Sequence, residues 1–560
     1  MQRHHRLSSI LLALALCYAS ARTSDPEVHT PAGRFRGKIL TSHSGHEYAS
    51  YRRIPYALPP TGDRRFALPV RHPVIEGVHD ATEFGSMCLQ HRDGVALGKE
   101  DCLFLNVFMP LKAKESEDVD LKKVFVFIHG GGLLVGASDP YLPGDLVTRG
   151  DIIVVNMNYR LNWLRFLRGN SGHTPGNQGY WDQLLSLQWI RDNIRAFGGD
   201  PEDVTVSGES AGSLSTSLLS VSPLTKGLFT KVILLSGTIE LLPSAPHTTN
   251  DLLQTAAYKF GCGDGSVNGN EEAVVKCLKQ LPGEVFVKEV AFKYLIGSTS
   301  TGDDLLPKPF TEILNDTEYL SEIGFYNRDY IVSITEHDGY ILMSARFGII
   351  DTASQRECLQ GLKPWLRLPL SVSELVLEEY KKIYGDLKKA TTALITDATF
   401  VKASVNFLEA FTRRSRTKQP HPGKNAYLLS FDHHPRYVPD QYMLHALDLA
   451  YLFDLNVKKL IENLYYLDLE DKFYEEDDEL KADYIDLVTA FIKTGNPNKQ
   501  LIAQKNVVWP PFTTEQKSYL SFSLQPSVGQ DILGDRRVIW DTLVPRWLQE
   551  EQRSENRGEL

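Results

Sequence analysis

Beyond its N-terminal stretch this 560-residue sequence has no apolar run long enough to cross a bilayer as a helix. It has no long basic tract, and its formal charge is −10, which argues against a nucleic-acid partner. No internal repeat or low-complexity segment occurs. No stretch is rich enough in glycine, proline or serine to act as a linker, and residues 22–560 are read as one domain. No His/Cys cluster has metal-ligand spacing, so neither metal nor cofactor is expected.

The N-terminus has a different character. MQRHHR is basic, SSILLALALCYA is apolar, and Ala19-Ser20-Ala21 offers small residues for cleavage. Residues 1–21 therefore read as a secretory signal peptide, which makes the expected location extracellular and the compartment oxidising. The polar end, RSENRGEL, reads as a frayed terminus. Six cysteines become five once Cys17 is removed. Cys88 and Cys102 are near neighbours, as are Cys262 and Cys277, and each pair could close a short loop worth ~3 kcal/mol. Cys358 is left as a buried thiol. Asn315-Asp-Thr is the one glycosylation sequon.

What the sequence does contain is a series of short β-rich apolar runs: 124–128, 152–156, 204–206, 232–235, 330–334 and 426–431. Helical patterns fall between several of them, such as Gln178 to Ala196 with Leu184, Leu187 and Ile190 on one face. Continuous apolar strands alternating with helices predict an α/β fold with a mostly parallel sheet covered on both sides. Residues 250–329 carry a cysteine pair and helical pieces but few strands, and read as an insertion over the sheet. The acidic run 475–479 reads as a solvated helix face.

Two motifs carry chemistry. Gly208-Glu-Ser210-Ala-Gly212 follows the run Val204-Thr-Val and precedes a helical pattern over 214–219. A serine on such a sharp strand-to-helix turn stands clear of the sheet, and small neighbours let the chains pass close by. Upstream, Val124 to Ile128 runs into His129-Gly130-Gly131-Gly132. Three glycines leave backbone N–H groups bare for the oxyanion of an acyl-transfer intermediate. Read blandly, the first is a Ser/Gly turn and the second a flexible loop; their co-occurrence favours a nucleophile and its oxyanion hole.

The run Phe197 to Gly212, FGGDPEDVTVSGESAG, closely resembles the active-site signature of the type-B carboxylesterase/cholinesterase family. Glu100-Asp-Cys-Leu-Phe-Leu-Asn-Val resembles its second signature. The segments IPYALPP from Ile54, Asn158-Tyr-Arg, Asp182-Gln183, FIKTGNPN from Phe491 and WPPF from Trp509 follow in family order. The resemblance spans roughly residues 26–545 and implies an α/β-hydrolase fold with helical insertions over the active site, ester hydrolysis and a small-molecule ester as substrate. It makes Ser210 the nucleophile, and Gly131, Gly132 and Ala211 the oxyanion-hole donors. It places the acid in SITEHDG at Asp338, where the family usually has glutamate, with Glu336 as the alternative. It places the histidine at His445 in LHALDLAYLF, ahead of His433 and His434, which are read as loop residues. It also pairs Cys88 with Cys102 and Cys262 with Cys277.

Some residues depart from the family pattern. Arg53, Asn162 and Arg165 stand where glycine is usual, which predicts a remodelled loop with extra cations near the sheet's edge. The first disulfide loop lacks Trp, Tyr and Phe, so it offers no aromatic face to a quaternary ammonium, and a choline ester is not expected. Leu133 and Leu134 after the glycine loop suit a hydrophobic acyl or alcohol chain. Arg65-Phe66, Asp182-Gln183 and His445 with Asp448 are similar to motifs of the secreted juvenile hormone esterases of arthropods. Glu209 and Tyr442 differ from the glutamine and glycine usual there. A catalytically silent binding or adhesion protein on the same fold is the alternative reading; an intact Ser210 and His445 oppose it.

Overall fold

The computed structural model describes residues 25–558 except 93, 112–119, 171, 243, 247–250, 265–266, 268–269, 289–298, 348–353, 414–422, 439–442, 457, 460–473 and 499–504. The expected signal peptide and Tyr442 lie outside the described residues.

An 11-stranded sheet organises the chain. Its strands, in chain order, are β1 (Lys38–Thr41), β2 (Glu47–Pro55), β3 (Phe104–Pro110), β4 (Lys122–Ile128), β5 (Ile153–Met157), β6 (Gly199–Glu209), β7 (Lys231–Leu235), β8 (Asp329–Thr335), β9 (Ala426–Phe431), β10 (Ser518–Phe522) and β11 (Ser527–Gln530). Across the sheet they lie in the order β11-β10-β9-β8-β7-β6-β4-β5-β3-β2-β1. The centre, from β10 to β5, is parallel. Both margins are antiparallel. Each of the six apolar runs picked out in the sequence is one of these central strands.

The strands are apolar throughout because both faces are covered. Side chains alternate between two cores. Val124, Val126 and Ile128 of β4 join the core that holds Leu184, Leu187 and Ile190 of the helix Gln178–Asn193 and Leu218 and Leu219 of the helix Ala211–Val221. Phe125 and Phe127 face the other way, toward Leu146 and Val147 of Gly144–Gly150 and Leu480, Tyr484 and Leu487 of Glu475–Thr494. The acidic run opens this last helix, where carboxylates favour the positive end of the dipole. It is not wholly solvated: Asp477 is buried and accepts hydrogen bonds from His433 and Tyr451.

The stretch 250–329 contributes the helices Asp251–Lys259 and Glu271–Gln280. They pack on Phe66, Leu89 and Trp163 in a third cluster. Cys262 is bonded to Cys277 and Cys88 to Cys102, both as expected. Arg65 ties the two regions together: its guanidinium forks onto Glu100 at 2.5 and 2.6 Å and donates to the carbonyls of Lys279 and Leu281. Cys358 is a buried free thiol, and burial raises its pKa. Among the described residues no helix is long and apolar enough to cross a membrane.

Two of the three non-glycine departures occupy backbone that glycine favours. Arg53 has φ 53° at an irregularity in the β2–β3 pairing, where its N–H donates to Asn106. Asn162 has φ 54°, and its side chain accepts from the Trp163 N–H. Arg165 corrects the expectation of an extra cation near the sheet's edge. It is fully buried on a short helix, Trp163–Phe166, with its guanidinium 5.1 Å from the Phe166 ring and 5.5 Å from that of Tyr180. The aromatic faces offer the cation a partner that sequence alone did not reveal.

Candidate active site

β5 lies on one side of β4 and β6 on the other, so the winding of the sheet reverses beside β4. Ligands of open α/β sheets bind beyond the carboxyl ends of the strands at such a reversal. The glycine loop leaves the carboxyl end of β4 and Ser210 that of β6. Asp338 follows β8, and His445 lies on the long connection after β9.

Ser210 has φ 54° and ψ −121°, a conformation an L-residue adopts only when its surroundings force it. Three features do so. Its N–H donates to the Leu235 carbonyl at 2.9 Å, which fastens the turn to β7. Gly208 and Gly212 touch across the turn, and a Cβ on either would collide with backbone: that of Gly212 for Gly208, the Ile128 carbonyl for Gly212. The helix Ala211–Val221 starts immediately, so the Ala211 N–H has no carbonyl a turn earlier to bond and lies at the positive end of the helix dipole.

The glycine loop packs on this elbow. A Cβ on Gly130 would run into the Glu209 carboxylate and the Ser210 Cβ. Gly131 and Gly132 have φ 102° and 63°, and the space beside Gly132 is open. Tyr159, from the Asn158-Tyr-Arg motif, stacks on His129 at 4.4 Å and donates to its carbonyl at 2.8 Å. Burial pushes His129 down to about 4, so its ring is neutral. Gln90, inside the first disulfide loop, grips both the N–H and the carbonyl of Gly136 at 2.8 and 2.9 Å.

His445 Nδ1 lies 2.7 Å from Asp338 Oδ1. Asp338 is fully buried and also accepts from the Thr335 N–H at 3.0 Å and the Thr335 hydroxyl at 2.8 Å. Of the two candidate acids, then, the geometry brings Asp338 to the imidazole. Glu336 is exposed and bonds His434 at 2.5 Å. His433, read as a loop residue, is buried against Asp477 at 3.0 Å.

The other ring nitrogen of His445 faces the elbow, 3.1 Å from Glu209 Oε1. Asp448, two residues from Ala446 along the same segment, is buried, and no side chain hydrogen-bonds its carboxyl. Burial pushes Glu209 up to about 8 against the pull of His445, and pushes Asp448 up to about 7, with Asp338 adding repulsion. Burial alone would lower His445, but Glu209 and Asp338 outweigh it and lift the imidazole to about 9. Phe400 packs on the imidazole with centroids 5.3 Å apart. Phe400, Leu214 and Leu241 surround Gly237. Nothing in the sequence marks Phe400, and Glu209 stands out there only as a departure from the glutamine of similar motifs.

Several other family-motif residues are structural. Arg160 pairs with Asp182 through two hydrogen bonds of 2.6 and 2.8 Å in the core. Gln183 donates to Ser215, behind the elbow. Asn498 clamps the backbone of Trp509.

A model of the carboxylesterase family matches residues 24–540. The chain is 28% identical over 585 residues to the cocaine esterase of Homo sapiens, covering 99% of this chain and 98% of that one. It is 29% identical over 588 residues to the acylcarnitine hydrolase of Mus musculus, covering 99% of each. It is 38% identical over 338 residues to acetylcholinesterase-1 of Trittame loki, covering 55% of this chain and 59% of that one. These likenesses support carboxylic ester hydrolysis. With a mostly parallel sheet, a serine elbow and a family match across nearly its whole length, the chain belongs to the carboxylesterase family of α/β hydrolases.

Proposed function

We propose that this chain is a secreted serine carboxylesterase that cleaves hydrophobic esters through an acyl-enzyme. The carrying observation is the 2.7 Å contact from His445 to Asp338 in a ring whose other nitrogen is turned to the elbow of Ser210. Ser210 Oγ attacks the ester carbonyl while Nε2 of His445 takes its proton. The N–H groups of Gly131, Gly132 and Ala211 receive the oxyanion. The C–O bond to the alcohol breaks, and the alcohol leaves with the proton from His445. Water then attacks the acyl-enzyme, giving its proton to the same nitrogen; the acid is released and Ser210 recovers its hydrogen. Asp338 holds the Nδ1–H tautomer and stabilises the imidazolium.

A hydrophobic substrate is supported by the apolar wall of Phe400, Leu214 and Leu241 beside the elbow. The first disulfide loop, residues 89–101, offers no aromatic face for a quaternary ammonium, which argues against choline esters. Secretion is supported by the basic, apolar and small-residue order of residues 1–21 and by the two disulfides. Asn315 is exposed at the end of the helix Phe310–Asn315, where a glycan would have room.

The test is a panel of chromogenic esters graded in acyl and alcohol size, with juvenile hormone-type methyl esters included, run beside organophosphate titration. Turnover rising with acyl hydrophobicity, and one equivalent of label on Ser210, is the expected result. Folded protein silent in both assays would replace this reading with that of a binding protein.

A further inference from the structure

Resting on the catalytic reading above, we infer that His337 is a positioning residue that sets the register between Asp338 and His445 by clamping the backbone of Met443. The sequence runs Glu336-His337-Asp338 after β8 and Met443-Leu444-His445 on the later connection. The two segments meet in one place. The His337 N–H donates to the Met443 carbonyl at 3.2 Å, and the Met443 N–H donates to His337 Nδ1 at 3.3 Å. Residue 337 also pairs with Leu444 as an isolated parallel bridge. One residue further along one segment and two along the other, Asp338 Oδ1 meets His445 Nδ1 at 2.7 Å. The contacts close a small ring: His337 to Asp338 by covalent chain, across to His445, back through Leu444 to Met443, and across again to His337.

The ring side chain does what the main chain cannot. The backbone of residue 337 only donates to Met443, whereas Nδ1 adds an acceptor for the N–H of that same residue and so removes the hinge between the segments. For this Nδ1 must be unprotonated, with the proton on Nε2. The surroundings keep the imidazole neutral. Its side chain is only 19% exposed, and burial pushes it down to about 4. Among the charges facing it, Glu336 and Asp338 act to raise it, and His434 and Lys389 to lower it. On the far side, Asp338 is held by both Thr335 groups, so the acid is pinned from its strand and the histidine loop is pinned to the acid.

Three variants test this. In His337→Asn, Oδ1 overlies the position of Nδ1 and keeps the acceptor. In His337→Gln the acceptor moves to the position of Nε2, and His337→Leu has none. Expected for His337→Asn is ester hydrolysis within ~3-fold of wild type. Expected for His337→Gln and His337→Leu is a kcat lower by ~10- to 100-fold with KM unchanged, the scale of a displaced catalytic group. Their acid limb of kcat/KM should also move to lower pH, because a loosened Asp338 no longer holds up the His445 pKa. A His337→Gln variant equal to wild type, an Asn variant as slow as the Gln variant, or a change confined to KM would overturn the inference. The Asn and Gln variants are matched in polarity, so they decide the matter even where the Leu variant fails to fold. Wild-type protein that neither turns over esters nor takes up organophosphate overturns the catalytic reading and this inference together. Active wild type with indifferent variants overturns this inference alone.

Discussion

Nε2 of His445 lies 3.1 Å from Oε1 of Glu209, the residue just before Ser210, while Nδ1 of the same ring meets Asp338. The imidazole is thus held between two carboxylates, and the nitrogen proposed to accept the serine proton has an acid group for a neighbour. Charge on His445 and Asp448 bears on Glu209, and charge on Glu209 and Asp448 bears on His445. The proposed mechanism needs neutral His445, and Glu209 is the strongest of the groups lifting it to about 9. Glu209→Gln should therefore move the acid limb of kcat/KM to lower pH. The plateau should fall by about 10-fold, since the imidazolium formed on attack loses a facing anion. A pH–rate profile of the variant superimposable on wild type would sink this account.

Asp338 and Glu336 make contrasting predictions. Asp338→Asn keeps the shape of the buried carboxyl but cannot accept the Nδ1 proton in the same way, and kcat should drop by ~10⁴. Glu336→Gln alters an exposed pair with His434 and should leave kcat within ~3-fold. Steady-state kinetics on one hydrophobic ester checks both; equal losses would return the acid's identity to an open choice.

The elbow is strained, and the strain is measurable. Ser210→Ala and Ser210→Gly should both lose hydrolysis by ~10⁴-fold or more. Glycine tolerates φ 54° and ψ −121°, however, so Ser210→Gly should be more stable than Ser210→Ala by about 1 kcal/mol. Denaturant melts of the two inactive proteins provide the comparison, and an alanine variant at least as stable would show the turn is relaxed.

Asp448 predicts a pH-dependent stability. Its folded pKa, about 7, lies above the ordinary carboxyl value near 4, so the fold favours the protonated form. The contribution is complete below about pH 4 and is lost as pH rises through about 7, by at most about 4 kcal/mol. Asp448→Asn cannot ionise. Its melting temperature relative to wild type should rise between pH 5 and pH 8, as thermal scans across that range would register; a constant difference would count against a buried, protonated Asp448.

The fold was legible because buried parallel strands are written as unbroken apolar runs, and every such run from Val124 to Phe431 became a central strand. Ser210 and the glycine loop were legible because steric demands leave a local trace: Gly208 and Gly212 are glycine because their neighbours are backbone. The acid was less so. Glu336 and Asp338 lie two residues apart on one turn, and the outcome depends on which one the Thr335 donors and the distant His445 loop enclose. The burial of Arg165 and the inward turn of Asp477 were likewise invisible, since each depends on a partner from another element: Tyr180 of the helix Gln178–Asn193 for one, His433 and Tyr451 for the other.

Ser210 comes from the middle of the sheet, Asp338 from a strand two places along, and His445 from the connection after the next. Those parts leave the ribosome far apart in time. On the proposed mechanism, a nascent chain that has made its elbow and its glycine loop still lacks its base until residue 445 has emerged and the β9 region has docked. Premature termination anywhere before that point yields a polypeptide without the base that the proposed mechanism requires.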